Sequence, residues 1–144
     1  MDENDGEKEQ DIEREQYIRQ FDAGRHLKSL RGNRPMVDVC KELGVSKGYL
    51  SEVERGRMPS DHFLDLIASK YGLDVDELYF RWGKVPILTQ NEIANSKKLS
   101  STIAQISRNR DLSDVQKERL YDSIHKAYQE LIAQINSEKG GVKK

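Results

Sequence analysis

Cysteine is nearly missing from this chain: Cys40 stands alone among 144 residues. One thiol allows no internal disulfide and no cysteine-rich zinc site, and it suits a reducing, cytoplasmic setting. Histidine is scarce too, and His26, His62 and His125 lie too far apart for ligand spacing. Long apolar runs are absent, since nothing approaches the eighteen or so residues a membrane span needs. The first residues, Met1-Asp-Glu-Asn-Asp, are acidic where a secretory signal would be basic and then apolar. Hydrophobic residues make up 35%, charged residues 34%, and the mean hydropathy is -0.83, enough for one modest core and little more. A metal, a cofactor, a membrane span and an enzyme of ordinary two-domain size are therefore not expected.

Charge is plentiful but unevenly distributed. Residues 1–20 hold eight acids and three bases, residues 21–88 ten and eleven, and residues 89–144 seven and ten. Within residues 25–57 there are four acids against eight bases, a local excess that suits a polyanionic partner although the whole chain carries -1. The acidic stretch 1–20 has few apolar residues and reads as a disordered tail, with helix from Asp11 onward at most.

Apolar residues recur every three or four positions after Tyr17, and no stretch alternates with the period of a strand, so the fold class is all-α. Ile18, Phe21, Ala23, Leu27 and Leu30 describe a first helix stopped by Gly32. Pro35 opens a second, with Val39, Cys40 and Leu43 inward and Gly44 as its stop. Ser46 caps a third through Arg55, closed by Gly56. Ser60 caps a fourth with Phe63, Leu66, Ile67 and Tyr71 inward, and Asp74 with Glu77 makes a capping box for a fifth that buries Leu78. Residues 83–88, containing Gly83 and Pro86, read as a linker. A C-terminal helical hairpin is expected over 89–137, with one helix from Thr89 to Arg108 and another after the Ser113/Gln116 capping box. Residues 138–144 read as a frayed tail.

The run from Cys40 to Gly56 is the specific signal. A small residue, Cys40, is followed four positions later by Gly44, then by Val45, Leu50 and Val53 at the spacing that locks two crossing helices, a helix-turn-helix over 36–55. The blocks Leu43-Gly44-Val45-Ser46, Tyr49-Leu50-Ser51, Glu54-Arg55-Gly56, Pro59-Ser60 and Leu73-Asp74-Val75-Asp76-Glu77-Leu78 occur in order. Over residues 23–82 they resemble the helix-turn-helix domain of the Xre family, the class of phage Cro and repressor proteins. The resemblance implies a five-helix Cro/repressor-type DNA-binding domain over 21–82. It also implies that Glu54 pairs with Arg31 of the first helix. Met36 stands where that family has a polar residue, and no phosphate contact is assigned to it.

The helical angle of about 100° per residue separates the third helix into two faces. Leu50 and Val53 face the core, so Lys47, Gly48, Ser51, Glu52 and Arg55 face out. Lys47 can donate to guanine, Glu52 can accept from a cytosine amino group, and Gly48 permits close approach. Tyr49, Arg55 and Arg57 lie at the flanks, suited to phosphate. In the C-terminal segment, Leu120, Ile124, Tyr128, Leu131 and Ile135 form a stripe wider than one short helix can cover, which predicts a homodimer seam. The function expected is a dimeric, sequence-specific transcriptional regulator, most simply a repressor, on an inverted-repeat operator of double-stranded DNA. The alternative is an antitoxin whose C-terminal hairpin holds a toxin while its DNA-binding domain regulates its own promoter.

Overall fold

The computed structural model describes residues 3–142, and among them it contains eight α-helices and no strand. The helices are α1 (Glu3–Arg31), α2 (Met36–Leu43), α3 (Lys47–Glu54), α4 (Asp61–Tyr71), α5 (Val75–Trp82), α6 (Ile87–Asn95), α7 (Lys97–Arg108) and α8 (Asp114–Val142). They divide into two compact units, Met1–Asn91 and Glu92–Lys144.

The first unit holds the core. Ala23 and Leu27 of α1, Val39, Cys40 and Leu43 of α2, Leu50 and Val53 of α3, and Phe63, Leu64, Ile67 and Ala68 of α4 close around Leu78, Tyr79 and Trp82 of α5. The inward face of α4 is thus shifted from the expected one: Leu64 and Ala68 are buried, while Leu66 and Tyr71 are half-buried at the rim. Short helices of about two turns gain little from their own hydrogen bonds, so their ends matter. The side chains of Ser46, Ser60 and Asp74 accept hydrogen bonds from the backbone N–H groups of Tyr49, Phe63 and Glu77 at 2.9–3.2 Å. Gly44, Gly72 and Gly83 end α2, α4 and α5 in the left-handed conformation that a side chain would resist.

Residues 3–20 are helical rather than a disordered tail, and residues 1–2 of that expected tail lie outside the described residues. Their Glu, Gln and Lys residues are strong helix formers, and Asp5 sits in the first turn, where the helix dipole is positive. Tertiary contact then fixes the following turns. The Gln16 side-chain amide donates to the Trp82 carbonyl at 3.2 Å, and the Arg19 guanidinium lies 4.5 Å from the Phe80 ring centroid. The helix that packs on the core therefore begins at about Gln16, upstream of the boundary expected at residue 21.

The expected linker is fastened to α4. Lys84 Nζ donates to the Pro59 carbonyl and pairs with Asp61 Oδ1, both at 2.7 Å. The other Asp61 oxygen accepts from the Ile87 N–H at 2.9 Å and so fixes the start of α6. These donors hold the Asp61 carboxyl below the usual aspartate range. Tyr79, buried and 3.0 Å from Asp65, has its hydroxyl pushed well above the ordinary tyrosine range by that burial and by the nearby carboxylate.

Where one helix was expected from Thr89 to Arg108, there are two. Ser96 accepts from the Leu99 N–H at 3.1 Å, and this cap starts α7 anew after Asn95. The Ser113/Gln116 capping box forms in both directions, at 2.9 and 3.1 Å. α8 then runs on to Val142 through the stretch expected to fray from 138, because nothing in Glu138-Lys139 opposes helix and Gly140 only weakens it. Residues 143–144 of that expected tail lie outside the described residues. The hairpin does not close into a core of its own: among the described residues, none in α6, α7 or α8 is buried.

Candidate nucleic-acid interface

The α2–turn–α3 unit presents one face of α3 to solvent because its other face is committed to the core. Leu50 and Val53 are fully buried, which turns Lys47, Gly48, Glu52 and Arg55 outward, with Ser51 half-buried at the edge. A Cβ added at Gly48 would meet nothing within 4 Å, so this position is open to an incoming surface. Lys47 and Arg55 are exposed, and among the described residues neither meets a carboxylate.

The direction of α3 is set by two devices. The first is a salt bridge: Arg31 Nε and Nη2 donate to the two oxygens of Glu54 at 2.9 and 3.1 Å. Both side chains are shielded, with 16% and 5% of their surface exposed, so this pair is structural and fixes the end of α3 against α1. The carboxylate raises the Arg31 pKa further, so the guanidinium stays charged. The second device is Gly24. A Cβ there would come within 2.6 Å of the Glu54 carbonyl oxygen and 2.8 Å of that of Val53. Only a residue without a side chain lets α1 cross the end of α3 so closely. Sequence reasoning passed over Gly24; its signal was a helix-weakening residue inside an apolar stripe, next to Ala23.

Three expected contact residues, Glu52, Arg57 and Tyr49, are engaged with the protein itself. Glu52 forms an ion pair with Arg57, and the Arg57 guanidinium lies 5.6 Å from the Tyr49 ring centroid. Tyr49 is half-buried, its ring edge-on to Phe63 with centroids 5.3 Å apart, and its hydroxyl accepts from the Ser60 N–H at 3.1 Å. That hydroxyl keeps its own proton to donate. Arg34, in the turn between α1 and α2, is likewise braced, bonding the Tyr71 hydroxyl at 2.6 Å and Glu42 at 3.3 Å. His26 is away from this face, beside Arg81; partial burial first, then that cation, lower its pKa.

Two crossing helices joined by a glycine turn, the second with one open basic face, form the geometry that enters a DNA major groove. The family model for helix-turn-helix domains matches residues 27–78. Residues 27–78 are a helix-turn-helix domain of the Xre/Cro type. The domain runs from the last turn of α1 through α2, α3 and α4 to the first half of α5, and it implies binding to DNA. No curated protein and no solved structure matches the chain. Among the described residues, no helix is long and apolar enough to cross a membrane.

Proposed function

We propose that the protein is a dimeric, sequence-specific transcriptional regulator, most simply a repressor, whose helix-turn-helix domain reads an inverted-repeat operator. The observation that carries this reading is the outer face of α3, where Lys47 and Gly48 are open and Ser51 is half-buried at their edge, while Leu50 and Val53 behind them are locked in the core. Lys47 suits guanine O6 and N7, and Ser51 can donate or accept. Arg55, Arg57 and the Tyr49 hydroxyl flank that face and suit phosphate.

One such domain reads few base pairs, and most of its affinity is electrostatic. A second copy supplies the missing selectivity. The stripe on α8 supports this: Ile124, Tyr128 and Leu131 are 56%, 61% and 53% exposed, with Leu120 beside them and Ile135 half-buried. Apolar residues this regular along one helix stay exposed only until a partner covers them. A two-fold axis through α8 then imposes half-site centres about 34 Å apart, or a multiple of that.

Footprinting on the DNA upstream of its own gene, with sedimentation of the same sample, tests the reading. The expected result is a dimer protecting a symmetric site, with Lys47→Ala costing about 1–3 kcal/mol on that site and changing one preferred base per half-site. A monomer that protects one asymmetric site refutes the dimer. A monomer whose α8 stripe is covered by a different protein encoded beside it establishes the antitoxin reading instead.

A further inference from the structure

We propose that Glu52 is a built-in substitute for DNA phosphate: it holds the Arg57 guanidinium in the free protein and must be displaced before Arg57 can grip the backbone, which restrains binding to DNA of arbitrary sequence. The inference rests on the DNA-binding reading above and assigns to Glu52 a role different from reading a cytosine.

The geometry carries it. The Arg57 guanidinium is held from two sides, by the Glu52 carboxylate and by the face of Tyr49, whose hydroxyl is itself fixed to the Ser60 N–H. The Arg57 backbone N–H also donates to the Glu52 carbonyl at 3.0 Å, so the two residues are tied through the main chain as well. The pair is thus positioned, yet it is open: the Arg57 and Glu52 side chains are 58% and 47% exposed. An ion pair in that setting is weak because water screens it, so a polyanion can replace its carboxylate. Carboxylate and phosphate oxygens accept from the same guanidinium N–H groups, and arginine cannot relieve the competition by losing its proton.

Comparison with the other arginine–glutamate pair sharpens the point. Arg31 and Glu54 have the same chemistry but are shielded and cannot exchange partners. Lys47 and Arg55 meet no carboxylate among the described residues and are available at once. The basic face therefore has two cations ready and one restrained. Any duplex that recruits Arg57 must also bring its phosphates near the released Glu52 carboxylate, a cost that is the same for every sequence. That common cost leaves the ratio of affinities unchanged but lowers all of them, so at a given protein concentration weak, sequence-independent sites stay mostly empty while a site with enough further contacts is still filled.

The test measures binding of the full chain to a fluorescent duplex of random sequence, between about 50 and about 200 mM salt, by anisotropy. Glu52→Gln keeps the shape and removes the charge. It is expected to tighten binding about three- to tenfold at the low-salt end and to steepen the log–log salt dependence by about one per subunit. In an Arg57→Ala background the same substitution should gain less than about twofold and leave the slope unchanged, because no cation remains to be released. Circular dichroism melting should be the same for all four forms, since both side chains are at the surface. Equal gains in both backgrounds overturn the proposal, for Glu52 would then act only as a general negative charge. So does unchanged binding to random DNA with an altered preferred base, which would make Glu52 a base reader. If no form binds random duplex even at low salt, the DNA-binding reading itself falls, and this proposal with it.

Discussion

Residues up to Asn91 and residues from Glu92 onward are both helical, but they solve the problem of apolar surface in different ways. The first unit, with helices of about two turns in α2, α3 and α5, buries fourteen hydrophobic side chains. The second has the strongly amphipathic α7 and the 29-residue α8, and among its described residues none is buried. Helix length and amphipathic pattern are thus no measure of an interior. An interior needs several helices crossing at fixed angles, and the first unit obtains those angles from caps, left-handed glycines, Gly24 and the Arg31–Glu54 pair. The second unit has its apolar stripes without the crossings, so its stability is expected to come from a second copy.

That contrast breaks most sharply at Glu54. Its removal strands the shielded Arg31 charge, so Glu54→Ala should destabilise the first unit by about 3 kcal/mol. Replacing both partners by apolar residues, Arg31→Met with Glu54→Leu, should recover most of the loss. Urea denaturation followed by circular dichroism measures both. A single substitution with no effect would mean that the pair does not hold α3 at all.

Gly24→Ala comes next, at about 2–3 kcal/mol, because the new methyl group would meet main-chain carbonyls that cannot swing aside. The same substitution at Gly48, where space is open, should leave stability within about 0.5 kcal/mol or improve it slightly. Equal costs at the two glycines would show that helix propensity, not close approach, decides.

In the second unit the corresponding substitution is Leu131→Asp, which puts a charge on the proposed seam. It should raise the dimer dissociation constant by about 2 kcal/mol, roughly thirtyfold, while the unfolding of the first unit stays unchanged. Analytical ultracentrifugation with the full chain reads the first effect and the melting curve the second. A coupled loss of both would show that the two units do not stabilise independently.

How much could be read in advance divides along the same line. The caps at Ser46, Ser60, Asp74 and Ser113 and the stop at Gly44 are local chemistry, so they are legible residue by residue, and the core side of α3 follows from helical angle alone. The pairing of Glu54 with Arg31 came only from family resemblance, since no local rule joins residues 23 positions apart. What stayed hidden depends on contact at a distance. Tyr79 and Trp82 were not singled out for the core because an aromatic on a short helix has no inward mark until α4 and α1 close over it. The restart at Ser96 was masked by apolar spacing that continues across it. The extension of α1 to Glu3 was masked by acidity, which resembles disorder in composition although glutamate favours helix. Glu52 and Arg57 looked like separate contacts because a five-residue spacing does not place side chains side by side on a helix. Only the turn after α3 brings them together.

The smallest expected effect lies at Asp61, the first residue of α4. Its carboxylate holds Lys84 and the Ile87 N–H, and those contacts depress its pKa. A depressed carboxyl pKa in the folded state adds stability above the unfolded value of about 4, and that stability is lost as pH falls through the folded value. Asp61→Asn keeps an acceptor for Ile87 but removes the charge that holds Lys84, so it should cost about 1 kcal/mol at pH 7. The difference between variant and parent should shrink as the pH is lowered from about 5 to about 2, because the parent's carboxyl then becomes neutral as well. Urea midpoints across that range decide the matter. A gap that stays constant with pH would mean that Asp61 contributes by hydrogen bonding alone, and a gap that widens in acid would contradict the depressed pKa. Because Asp61 directly follows Ser60, whose N–H is held by Tyr49, its loss should also loosen the brace under Arg57. The salt dependence of DNA binding should therefore shift in Asp61→Asn by less than it does in Glu52→Gln.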